Sequence, residues 1–217
     1  MSGLSRGEWM FLAFILVFSF VPTFGGLFRV SELLGGVAIV PENPRALAQP
    51  LPLGLHVVGS FVFCLLGAVQ FLPSVRRRHL NLHRISGRTI AAAGVLSALT
   101  GLWMTHTFVF PPELQGVLLY WARVVLSVSM VGLIVWAVIA VRSGNIPGHR
   151  AAMFRAYAIG QGASTQTFLG IGWMIVAGTE ATGPWRDVMM VAAWCINLLI
   201  AEALINRALG SRAVAFR

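Results

Sequence analysis

Lysine is absent from this chain, only seven residues are acidic, and charged residues of every kind make up 11% of the 217 positions. A soluble domain carries about a quarter charged residues, so the scarcity excludes an ordinary water-facing surface. Cysteine is nearly as rare: Cys64 and Cys195 are the two present, each in the middle of an apolar run. That excludes a disulfide framework and a cysteine-based metal cage, and both are expected to be small packing residues. The chain also lacks a hydrolase triad, a P-loop, a dinucleotide-binding glycine pattern and a catalytic carboxylate pair, so no motif in it points to a conventional enzyme acting on soluble substrates. Internal repeats and low-complexity tracts are absent as well.

What remains is apolar. Hydrophobic residues make up 57% of the chain and the mean hydropathy is +0.80. Residues 9–28, 52–72, 89–106, 114–141, 151–177 and 185–206 each approach the length of about 20 apolar residues that a helix needs to cross a bilayer. The expectation is an all-α, polytopic integral membrane protein, with residues 1–217 forming a single six-helix transmembrane domain. A β-barrel would need short alternating segments, whereas these runs are continuous. The first run is longer than the apolar core of a signal peptide and no small-x-small cleavage site follows it, so it is expected to remain as a helix.

Orientation follows from the sixteen basic residues, all of them arginine. With the N-terminus in the cytoplasm, eleven fall on that side: Arg6, Arg76, Arg77, Arg78, Arg84, Arg88, Arg142, Arg150, Arg207, Arg212 and Arg217. Arg29, Arg45 and Arg186 lie opposite, with five of the seven acids. The positive-inside rule then places both termini in the cytoplasm, in a bacterial inner membrane. Topology alone accounts for the net charge of +9, and no nucleic-acid partner is implied.

The segment VRRRHLNLHRISGR, residues 75–88, is the basic hairpin between the second and third runs. Arg76, Arg77 and Arg78 suit anchoring to anionic lipid head groups. His83, Arg84, Gly87 and Arg88 sit where a helix starts, and Gly148, His149 and Arg150 repeat that chemistry at the start of the fifth run, with Arg155 following. Helix N-termini beside guanidiniums attract phosphate, carboxylate or haem propionate. His83, Arg84, Arg88, His149, Arg150 and Arg155 are therefore the candidates for anion, propionate or lipid binding.

The order HVVGSFVFCLLGAVQF, RRRHLNLHRISGR, SGNIPGHRAAMFRAYA resembles a family of predicted bacterial membrane proteins of unknown function, over roughly residues 52–175. The positions that carry the resemblance are His56, Gln70, Phe71, His83, Arg84, Gly87, Arg88, His149, Arg150, Met153 and Arg155. The chain departs from the family's usual pattern around Met153, where a tryptophan before it and an isoleucine in place of Phe154 are more typical. The resemblance implies a membrane topology and no reaction.

A histidine within a membrane is costly unless it has a partner. His56 lies a turn into the second run and His106 ends the third, on the same outer side. Two imidazoles from neighbouring helices can supply the axial nitrogens of b-type haem, so His56 and His106 are the candidate iron ligands. Arg123, within the fourth run, is the candidate cation beside that cofactor, with Glu113 or an acidic ligand group as its partner. On the second run His56, Gly59, Phe63, Gly67 and Gln70 share a face on which a macrocycle or a closely packed helix could lie. A structural account is also open: His56 bonds a carbonyl group and His106 sits in water. A second haem between His83 and His149 is disfavoured, because the 23 residues from His83 to His106 span roughly 35 Å of helix. Zinc held by His79, His83 and His149 lacks supporting ligands.

Arg155 and Glu202 have matching depth near the cytoplasmic ends of their runs, which predicts an ion pair. Gln161, Thr165 and Gln166 suit interhelical hydrogen bonds. Gly87, Ala91, Gly94, Ala98, Gly101 and Thr105 make a small-residue packing face. The loop 30–50 contains LLGGVAIV, which could be re-entrant or amphipathic.

Three functions fit. The first is a haem-binding electron-transfer protein, exchanging electrons with quinone. The second is an accessory or assembly subunit of a respiratory or photosynthetic membrane complex, joined to other subunits or to copies of itself. The third is binding or transport of a small anion or lipid. The first leads, because it alone gives a reason for histidine on two helices at one depth.

Overall fold

The computed structural model describes residues 3–214, with side chains to residue 207. Every regular element among them is helical, and the helices group into two compact units, Met1–Phe110 and Pro111–Arg217.

The first unit begins with α1 (Arg6–Phe18) and α2 (Phe20–Leu33), which meet at an angle of 54°. Pro22 explains the break: it has no N–H to donate to the carbonyl group four residues back, at Phe18, and its ring crowds that carbonyl. After a short α3 (Pro44–Ala48) come α4 (Pro50–Cys64) and a 3-10 turn at Leu66–Phe71 that lengthens it, then α5 (Pro73–Arg78) and α6 (Leu80–Thr107). α4 and α6 form the principal packing pair. Residues 75–88, expected as a connecting hairpin, are helical on both sides of His79, whose backbone (φ −129°, ψ 54°) separates α5 from α6. The LLGGVAIV stretch is an irregular loop, with Leu34, Val37 and Ile39 exposed. Buried Arg29 ties that loop down by donating to Glu32 and to the carbonyl oxygen of Pro41.

The second unit contains α7 (Val117–Arg142), α8 (Ile146–Gly160), α9 (Gly162–Ala177) and α10 (Gly183–Val214). Its fully buried residues include Ala137, Ala140, Ala152, Ala156 and Ala193. Small side chains let helices approach closely where lipid removes the hydrophobic incentive to associate.

Four segments are long and apolar enough to cross a membrane: Pro50–Phe71, Leu80–Thr107, Val117–Arg142 and Gly183–Arg207. The α1–α2 pair adds a fifth if it acts as one bent span. Six spans were expected, and the difference lies at 151–177, which is split. α8 has 15 residues and α9 has 16, each short of the roughly 20 a straight crossing needs. Trp194 of α10 enters the break, its Nε1 donating to the carbonyl oxygen of Ile159 at 3.2 Å, and Asn197 Nδ2 donates to that of Ala158 at 3.1 Å. A Cβ on Gly162 would land inside the Trp194 indole. The two carbonyl groups left at the broken helix end thus find partners on α10.

Candidate functional site

His56 sits at the centre of a polar seam between α4 and α6. Its Nδ1 lies 2.9 Å from the carbonyl oxygen of Ser97, with the Thr100 hydroxyl at 3.4 Å. One turn along α4, the hydroxyl groups of Ser60 and Ser97 are 2.6 Å apart. At one end of the seam Gln49 and Thr107 exchange two hydrogen bonds, Nε2 to the Thr107 carbonyl oxygen at 2.9 Å and the Thr107 hydroxyl to Oε1 at 2.6 Å. At the other end Gln70 Nε2 donates to Ser86 Oγ at 2.7 Å. The partners move up α4 as they move down α6, so the bonds record one antiparallel register. Since a carbonyl oxygen only accepts, the His56–Ser97 bond puts the proton on Nδ1 and the lone pair on Nε2.

Of the two occupants open to Gly59, a macrocycle or a closely packed helix, the structure shows the helix, and Gly87 likewise faces the seam. A Cβ on Gly59 would stand 3.0 Å from the Ala93 carbonyl oxygen and 3.1 Å from the Ser97 nitrogen, so the α6 backbone occupies that face of α4. A Cβ on Gly87 would stand 3.2 Å from Gln70 Oε1.

The structure does not bring His106 to the same face. It lies nine residues beyond Ser97, about half a turn round α6 at about 3.6 residues per turn, and six residues or roughly 9 Å above Thr100. It is exposed in the last turn of the helix. Arg123 belongs to the second unit, where it donates to Gln115 Oε1. His83, Arg84 and Arg88 lie in the first three turns of α6, with Arg84 and Arg88 exposed.

His149 in α8 repeats the His56 arrangement: its Nδ1 lies 2.9 Å from the Ala137 carbonyl oxygen of α7. Arg150 follows it, partly exposed. The α8 N-terminus carries its own cap, the Asn145 Oδ1 accepting from the Gly148 nitrogen at 2.9 Å, so part of its attraction for an outside anion is already met. Arg155 is also engaged: Nε and Nη2 meet the two oxygens of Glu202 at 2.5 and 2.8 Å. This is the expected ion pair, but it lies deeper than expected. Counting back along α7 from the His149–Ala137 bond puts Arg155 level with about residue 131. Asp187 bonds the start of α7, and counting along parallel α10 puts Glu202 near the same level. That is the middle of α7. Thr165 and Gln166 bond α10 as expected, at Asn197 Oδ1 (2.6 Å) and the Met190 carbonyl oxygen (3.2 Å), whereas Gln161 bonds Tyr157 and Ser164.

No group of three or more His, Cys, Asp or Glu side chains gathers as a metal cage would require, among the described residues. Cys64 is buried, but Cys195, expected to be packed, is exposed.

Sequence reasoning missed two carboxylates. Asp187, 4% exposed, accepts from the Gly116 and Leu119 nitrogens at 3.0 and 3.1 Å and so caps α7 from a different helix. A Cβ on Gly116 would stand 2.5 Å from Asp187 Oδ2. Glu8 closes a capping box with Ser5 and also accepts from the Ser74 nitrogen and hydroxyl, each at 2.7 Å, joining the starts of α1 and α5. The Ser5-x-x-Glu8 spacing was a readable signal; the bonds to Ser74 and from Asp187 were not.

Residues 53–205 match the family described as "Predicted membrane protein (DUF2306)". The chain belongs to this family. The DUF2306 match includes both His56 and His149, and it extends beyond the expected 52–175 to take in Asp187, Trp194, Asn197 and Glu202. No curated protein and no solved structure matches the chain.

Proposed function

We propose that this membrane protein holds a b-type haem through histidine and works as an electron carrier of the bilayer, with Nε2 of His56 in the first unit, or of His149 in the second, as the candidate axial nitrogen. The observation that carries the reading is the pair of Nδ1 bonds, His56 to Ser97 and His149 to Ala137. A backbone carbonyl on Nδ1 fixes the tautomer, orients the ring and raises the basicity of Nε2, as it does around ligating histidines generally. A bound haem would supply one-electron chemistry; the chain's part is to aim the imidazole. His106 and Arg123 are left out of this reading, the first by its position round α6 and the second by its bond to Gln115. The arginine bias supports cytoplasmic termini and residence in a bacterial inner membrane.

The test is colour. Protein purified from haem-supplied cells should show a Soret band that shifts on adding dithionite, and His56→Ala or His149→Ala should diminish it. Colourless wild-type protein overturns the reading.

One observation favours a second reading. The face of α4 at Gly59 is filled by α6, which suits a packing histidine in an accessory or assembly subunit. In that case native electrophoresis in mild detergent should place the chain in a larger complex, and migration as a bare monomer contradicts it.

A further inference from the structure

The second unit contains a groove of about 590 Å³, open to the outside and walled by α7, α8 and α10. Its size falls within the roughly 300–1,000 Å³ of small-molecule sites. Val125, Leu133, Trp136 and Leu198 give it apolar walls, while Ser129 and Arg155 bring polar atoms to it. These polar atoms lie at mid-height of α7, a helix of 26 residues and so about 39 Å long, against a hydrocarbon thickness of about 30 Å. The Arg155 and Glu202 side chains are 37% and 41% exposed there. Among the described residues, Arg155 Nη1 and the Ser129 hydroxyl have no hydrogen-bond partner.

An unsatisfied donor facing hydrocarbon is expensive, so the occupant of this groove must bring acceptors to the middle of the bilayer. Phospholipid head groups stay at the interface and do not reach that depth. A neutral, lipid-soluble ring bearing carbonyl oxygens does. We propose that the α7–α8–α10 groove binds an isoprenoid quinone. Its ring lies against Trp136, one carbonyl oxygen accepts from Arg155 Nη1 or Ser129 Oγ, and its tail follows the apolar wall. Glu202 holds the guanidinium in place by pairing with Nε and Nη2, leaving Nη1 for the ligand. Gly132 lines the groove with open space where a Cβ would stand, so a large side chain at that position fills the site without striking the protein. The site needs no haem, and it stands or falls separately from the proposed function.

The experiment uses the full chain in detergent, free of haem, titrated with a decyl-substituted benzoquinone and followed by quenching of tryptophan fluorescence. Decylbenzene, with a six-membered ring and the same tail but no carbonyl groups, is the competitor. The expected result is saturable quenching that decylbenzene does not displace, weakened on the order of tenfold, or about 1.4 kcal/mol, in Gly132→Phe. Ser129→Ala and Leu198→Phe give the same direction of change and serve if Gly132→Phe fails to elute as the wild type does. Non-saturable quenching overturns the proposal, as does binding indifferent to all three substitutions. Equal competition by decylbenzene assigns the groove to lipid tails and also overturns it, as does a groove covered by a second copy of the chain and closed to the probe. A coloured protein that fails here retains the haem reading and loses this site; a colourless one that binds does the reverse.

Discussion

Nδ1 of His56 and the carbonyl oxygen of Ser97 stand 2.9 Å apart, and this bond fixes the imidazole tautomer while joining α4 to α6. Bonds between membrane helices contribute about 0.6 kcal/mol on average and rarely more than about 1.7. His56→Ala is therefore expected to lower the melting temperature of the detergent-solubilised protein slightly, while His56→Gln, which keeps a donor, restores most of the loss. Unfolding of both variants would contradict so modest a role in packing.

Gly59 should tolerate far less. A Cβ there meets α6 backbone at 3.0 to 3.4 Å, and backbone does not move aside as a flexible side chain can. Gly59→Leu is expected to cost about 1–3 kcal/mol or more by forcing α4 and α6 apart. Thermal unfolding measures it, and wild-type stability in this variant would refute the close approach.

Asp187 and Gly116 act as one device. Asp187→Ala leaves the Gly116 and Leu119 nitrogens without their acceptor and is expected to cost about 1–3 kcal/mol. Gly116→Ala pushes a methyl group against Oδ2 and should cost a similar amount. The double variant is expected to lose less than the two single losses combined. Strict additivity in that cycle would mean that the two positions do not share a cap.

The Arg155–Glu202 pair sits at mid-height of α7, where a lone charge is far costlier than a neutral pair. Arg155→Leu and Glu202→Leu are each expected to reduce yield and stability more than the double substitution to leucine. Fluorescence-detected size exclusion compares the three. A double variant worse than either single one would place the pair in water.

Much of this architecture was legible, because lipid imposes simple demands on length and charge. Continuous apolar runs gave the helical class and most of the spans, and matching depth gave the Arg155–Glu202 partnership. The broken elements were not legible. Pro22 was a visible breaker, but membrane helices tolerate proline, so its presence alone did not mark a bend. The break at Gln161 depends on Trp194 and Asn197 reaching over from α10, a tertiary event that no local pattern announces. His106 shows what depth leaves out when helical phase is not considered: it lies about half a turn round α6 from Ser97, the residue His56 bonds. The glycines of α4 and α6 were ambiguous for a related reason, since spacing shows where a backbone is bare and not what lies against it.

The most direct test of the account is the dithionite-reduced minus oxidised absorption spectrum of the purified full chain from haem-supplied cells, taken beside His56→Ala, His149→Ala and His106→Ala. The account predicts a b-type spectrum in the wild type, diminished by the first or second substitution and unchanged by the third. A flat difference spectrum, or a band that only His106→Ala removes, would contradict it.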